Sequence, residues 1–142
     1  MLLNTQPIKA FSNLYNQELS FDSILKQDEE GRPYHAILHN SLKEYMLSLA
    51  KNLANDQKSP PVIIDYKPIE TSMSHSVVDC TIKMGNYQIT ETGEATIATL
   101  NSSVAKNFPY LEAQTRAYDR AVISFLQLQV DGKRVYSDRE SA

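Results

Sequence analysis

Tryptophan is absent from this sequence, cysteine occurs once, and there are only 4 glycines. Each shortage excludes something. A lone Cys80 rules out an intrachain disulfide and suits a reducing compartment. The four glycines are scattered, so no Gly-rich loop is available to cradle phosphates, and a nucleotide-hydrolysing motor is disfavoured. Long apolar runs are missing too. Val62-Ile63-Ile64 is typical of the longest, so no stretch is expected to span a bilayer. Met1 to Pro7 shows no basic region leading into an apolar stretch, so no secretory signal is expected. The expected location is the cytoplasm. Neither sign of charge dominates: 14 basic and 17 acidic side chains give a net charge of −3, which argues against a broadly basic nucleic-acid binder.

What is present is globular in character, with 42% hydrophobic and 22% charged residues in a chain of 142. That length suits one domain with a substantial core. The expected organisation is a single domain over residues 1–142. Within it lie an N-terminal arm or subdomain (1–40), an α+β core (41–128) and a tail (129–142). Charge is uneven along it. Residues 101–142 carry 6 basic and 5 acidic groups, against 2 basic and 5 acidic in 62–100, so an anion site would draw on the C-terminal third.

Phe11, Leu14, Tyr15, Leu19, Ile24 and Leu25 suggest one face of a broken helix, ended by the turn Asp28 to Pro33. Leu42, Tyr45, Met46, Leu49 and Leu53 recur at helical spacing and predict a helix over about 41–55. Ser41 is its expected N-cap and Glu44 completes a capping box. After Pro61 the period becomes two. One strand begins at Val62 and is bulged or at an edge near Pro68. A second places Val78, Cys80, Ile82 and Met84 on one face. Gly85-Asn86 is a two-residue turn, Tyr87 and Ile89 continue the apolar face, and Gly93 marks a bulge or a close backbone approach. Leu111, Thr115, Tyr118, Val122 and Phe125 then define a helix over about 110–128, widened by Ala113, Ala117 and Ala121. A helical turn is expected at 101–106, and a short strand or arm at 132–137. The fold class is therefore α+β: a three-stranded antiparallel β meander followed by a long helix, a β-β-β-α core, with an additional N-terminal helix.

Arg116 and Arg120 are four apart and share one helix face, where two permanent cations could straddle successive phosphates. The alternative is a solvated face on which Glu112 and Asp119 neutralise them. Other chemistry is less well supported. His35 and His39 have metal-ligand spacing if helical, with Glu44 as the one further candidate, but are more simply surface or core-edge histidines. Cys80 on an apolar strand face behaves as a small hydrophobe. Glu91 and Glu94 are three apart on a strand end and face opposite sides, so they are a poor acid/base pair. Several of the 8 tyrosines lie in the second half, where exposed ones could stack on unpaired bases.

The segment from Glu112 to Phe125, with the meander before it, resembles the Rad-fifty-two family of single-strand annealing proteins and its phage relatives. The resemblance covers about residues 62–128. It rests on Ala113, Thr115, Arg120-Ala121 and Ser124-Phe125 in the helix, and on Glu91-Thr92-Gly93-Glu94-Ala95 at the strand end. It implies a non-enzymatic protein without cofactor or metal that forms ring-like homo-oligomers. Such a protein binds single-stranded DNA by its backbone and anneals complementary strands in recombination and repair, without ATP. Other recombination proteins are implied as partners. Arg120 matches a groove-lining arginine of the family. Asp119 and Ile123 depart from it, standing where its eukaryotic members are basic; Arg116 offers a cation one turn earlier. The expected DNA-binding residues are thus Arg116, Arg120, Lys106, Lys133 and Arg134. The alternative reading is a protein-interaction or assembly domain with no nucleic-acid role; a small enzyme ranks third.

Overall fold

The computed structural model describes residues 4–56, 58–96 and 109–140. The expected helical turn at 101–106 lies outside the described residues. Strands β1 (Gln6–Ser12), β2 (Gln17–Gln27) and β3 (Pro33–Ile37) come first, followed by helix α1 (His39–Ala54). A meander of β4 (Val62–Thr71), β5 (His75–Met84) and β6 (Tyr87–Thr96) leads to helix α2 (Pro109–Leu126). Short strands β7 (Leu128–Val130), β8 (Lys133–Arg134) and β9 (Tyr136–Ser137) complete the order. No helix among the described residues is long and apolar enough to cross a membrane.

The expected β-β-β-α core with an additional N-terminal helix is corrected by this arrangement. The meander and α2 are one half of a two-sheet α+β fold. The other half is a six-stranded mixed sheet of order β8-β7-β1-β2-β3-β9. Its strands come from both the N-terminal arm and the tail, the segments on either side of the expected 41–128 core. The broken helix expected from Phe11 to Leu25 is corrected as well. In β2, Leu19, Phe21 and Ser23 turn inward while Ser20 and Asp22 face solvent, a period of two. Small inward residues, Ala10 and Ser12 on β1 and Ser23 on β2, hide that period from a hydrophobicity pattern.

The two ends of the six-stranded sheet are nearly joined. β8 pairs with β7 and β9 with β3, yet only Val135 separates β8 from β9. Two residues span at most about 7 Å, so the sheet must curl round until its first and last strands meet. Val135 is buried at the junction.

The start of α1 also differs from expectation. Its N-cap is Leu38, with no side-chain cap, and the Ser41 hydroxyl instead accepts the Asp22 N–H at 3.0 Å. A distant carboxylate takes over the capping role. Asp138 Oδ1 accepts the His39 N–H at 2.9 Å, which satisfies one of the orphan donors at the helix start.

The meander is fully antiparallel, with Gly85 at φ 62° turning β5 into β6 and a register shift between Pro68 and Glu70 bulging β4. α2 packs across β5 and β6. Ala113, Ala117 and Ala121 are fully buried, so the helix backbone can sit directly on β6. Gly93 is the contact point: a Cβ there would lie 2.3 Å from both Ala113 O and Ala117 N. Tyr118, Val122 and Phe125 are buried with Val78, Cys80 and Ile82 in one core. Both sheets cap the end of α2. The Tyr87 hydroxyl donates to Phe125 O at 2.7 Å, and the Ser12 hydroxyl donates to Leu126 O at 2.6 Å. Two carbonyls that a helix end leaves orphaned are thereby satisfied.

Candidate nucleic-acid cleft

The expected arginine pair meets a strand. Arg116 Nη1 donates to Glu94 O at 2.9 Å, and Arg120 Nη1 donates to Thr92 O at 2.8 Å. The match is geometric. Four helical residues rise about 6 Å, and two strand residues advance about 6.8 Å. Alternate carbonyls of a strand point to the same side, so an i,i+4 arginine pair meets an i,i+2 carbonyl pair. Among the described residues β6 is an edge of its sheet, and these guanidinium groups cover that edge on either side of Gly93.

Each arginine is also tied to the C-terminal turn. Arg116 Nε donates to Arg139 O at 3.1 Å and lies 3.6 Å from Glu112. Arg120 Nε pairs with the Glu140 carboxylate. Lys26 Nζ holds the same turn from β2, donating to the carbonyls of Asp138 and Glu140 at 3.1 Å each. The Arg116 side chain is only 13% exposed, whereas that of Arg120 remains 39% exposed. The two arginines therefore differ. Arg116 is a staple between helix, strand and turn; Arg120 is a staple with an open outer side.

That outer side borders a cleft of about 430 Å³, lined also by Ile123, Glu91, Lys133, Arg134 and Glu140. Three of the five expected DNA-binding residues, Arg120, Lys133 and Arg134, thus come together. Arg116 is not among its lining residues, and Lys106 lies outside the described residues. Three cations face two carboxylates, of which Glu140 is already engaged by Arg120. On the other side of β8 lies a second cleft, of about 690 Å³, at the open mouth of the curled sheet.

Asp119 does not neutralise the arginines. It points into the interior, fully buried, and its Oδ1 meets His39 Nδ1 at 2.6 Å. Burial pushes its carboxyl pKa up, while the hydrogen bond and charge of His39 pull it down. The expectation of Asp119 on a solvated face is corrected: that helix position faces α1. Spacing places Asp119 beside two arginines in sequence but cannot reveal a partner as distant along the chain as His39. The metal spacing of His35 and His39 is likewise undone, because His35 lies on β3 and His39 opens α1. Among the described residues no group of three or more His, Cys, Asp or Glu could hold a metal ion. Cys80 is fully buried, and burial followed by the Asp119 and Asp65 charges pushes its thiol up to about 12. At neutral pH it is a thiol packed in the core, with no thiolate to act as nucleophile.

No family model, curated protein or solved structure matches this chain. Tyr136 lines the second cleft, and what sequence reasoning missed is its contact with Arg134. Its ring lies under the Arg134 guanidinium, 5.1 Å from centroid to Cζ, and so helps to position that cation. Arg134-Val135-Tyr136 is an alternation in which residues 134 and 136 share a face, and that was the available signal.

Proposed function

We propose that this protein binds single-stranded DNA by its phosphates in the cleft between α2 and β8, and promotes annealing of complementary strands without nucleotide hydrolysis. The observation that carries the reading is the convergence of Arg120, Lys133 and Arg134 on one cleft. The resemblance of residues 62–128 to the Rad-fifty-two annealing proteins supports it. Annealing is downhill, so a site that holds backbone and leaves bases free to pair is sufficient. A single cleft offers few cations. Several copies side by side, in a homo-oligomer, would extend the track.

The test is oligonucleotide affinity by fluorescence anisotropy across a salt series. Lys133 and Arg134 are exposed, so their removal spares the fold. Lys133→Ala and Arg134→Ala should each lower the slope of log affinity against log salt by about 0.7, the single-strand value per phosphate contact. Sequence preference should be slight, because phosphate contacts carry no base information. Superimposable salt curves from the folded variants would remove these residues from the mechanism.

One observation favours a second reading, an assembly domain with no nucleic-acid role. Among the described residues β4 is an edge strand with Ile63 and Ile69 exposed, and Met73 beyond it is 92% exposed. Such an edge is a template for strand pairing. A folded protein that binds no oligonucleotide at low salt would leave this reading in possession.

A further inference from the structure

We infer that the mouth of the curled six-stranded sheet is a base-docking pocket, which receives an unpaired base of the strand whose backbone lies in the neighbouring α2–β8 cleft. This rests on the single-strand reading above and gives it a second subsite. Three observations carry it.

The first is continuity. Lys133, Arg134 and Val135 line both clefts, so β8 is a shared wall. The two clefts therefore meet along β8, and a strand with a phosphate in one can offer a base to the other.

The second is the lining. Tyr34 and Tyr136 stand edge to face with ring centroids 6.0 Å apart, and the Arg134 guanidinium lies over Tyr136. Both rings are partly exposed at the mouth. Aromatic rings and planar guanidinium groups are the surfaces on which bases stack. The space, about 690 Å³, lies within the range of small-ligand pockets.

The third is the supply of polar groups. The mouth carries Asp28, Glu29, Glu30 and Asp131 beside Arg32, Lys133 and Arg134. Arg32 pairs with Asp28 at 3.0 Å and Glu30 at 2.9 Å. The carboxylates offer acceptors to the N–H groups on the edge of a neutral base, and the shared cations of β8 suit the phosphate next to it.

The experiment compares two oligonucleotides of equal length by anisotropy at fixed salt. One is oligo-dT and the other has the same phosphates on abasic sugars. Wild-type protein should bind oligo-dT about ten-fold more tightly or better, as stacking of one base allows. Tyr136→Leu and Tyr34→Leu should each reduce that preference, and Tyr34→Leu should do so with the salt slope unchanged; circular dichroism checks the fold of each. Two variants keep the test decisive if one fails to fold. Equal affinity of wild type for both oligonucleotides would overturn the pocket and spare the backbone reading. Absence of binding to either would remove both together. In a third arm, free thymidine is titrated while the ring resonances of Tyr34 and Tyr136 are followed. Saturable shifts with thymidine, in a protein that does not distinguish dT from abasic strands, would assign the mouth to a free nucleoside and overturn docking from a strand.

Discussion

Gly93 is the residue on which the seating of α2 depends. Its missing side chain leaves the space that the backbone of Ala113 and Ala117 fills. Gly93→Ala forces a Cβ into backbone atoms, which cannot swing aside as a side-chain tip can. A loss of about 1–3 kcal/mol or more is expected in chemical denaturation. A loss below about 0.5 kcal/mol would mean that α2 does not sit on β6. A close backbone approach at Gly93 was legible in the sequence, because glycine inside a strand pattern has few other uses. The role of Arg116 was not. Helical spacing shows which side chains share a face, but what lies opposite that face is β6, and no local pattern ties the two together. Both expected outcomes for the arginine pair, phosphate contact or a solvated face, assumed water in front of the helix. Arg116 instead meets the carbonyl edge of β6.

Among the elements, β4, β5 and β6 are clamped at one end by His75. Its Nε2 lies 2.9 Å from Glu94 on β6 and its Nδ1 lies 3.3 Å from Glu70 on β4. Hydrogen bonds to Glu94 first and Glu70 second raise the imidazole pKa above its usual 6.5. A raised folded pKa means that the protonated form is favoured by folding. The clamp's contribution is therefore complete below about pH 6.5 and is lost as pH rises through the folded value. In an NMR titration the His75 ring should titrate above 6.5, and Glu94→Gln should move the midpoint down. A midpoint at or below 6.5 in wild type would show that the clamp does not form in solution. The pattern along β5 and β6 was readable because large apolar residues alternate with polar ones. β1 and β2 were not, since Ala10, Ser12 and Ser23 occupy inward positions and carry no hydrophobic signal. The boundary of α1 was misjudged for a related reason. Its cap is Asp138, near the other end of the chain, and no local motif can announce that.

At the scale of the whole molecule, the two edges of the meander are treated differently. β6 is covered by guanidinium groups, whereas β4 has no strand beyond it among the described residues. Proline at 68 and the adjacent bulge blunt part of β4, but Ile63 and Ile69 remain exposed along it. Self-association through this edge is the expected use. Pairing of β4 with β4 of a second copy closes a dimer, so light scattering at micromolar concentration should report at least twice 16.1 kDa, and Ile63→Lys should reduce it. A wild-type mass of 16.1 kDa would exclude assembly by this route.

The curled sheet has a consequence for the order of folding. Phe11 and Ser12 pair with Gln129 and Leu128, and Ile37 pairs with Ser137. Each pairing joins segments from opposite ends of the chain. Contacts of such sequence separation incur loop-closure entropy before they stabilise anything, and they slow folding. During synthesis β1, β2 and β3 can form a meander early, but their sheet keeps two open edges until residues 128–137 arrive. The α1 cap waits for the same segment, as do the Arg116 and Arg120 staples, because Asp138, Arg139 and Glu140 supply their partners. A premature stop before residue 128 would therefore yield a chain with most of its secondary structure but with both edges of the β1–β2–β3 sheet open, exposed to strand-pairing with its neighbours.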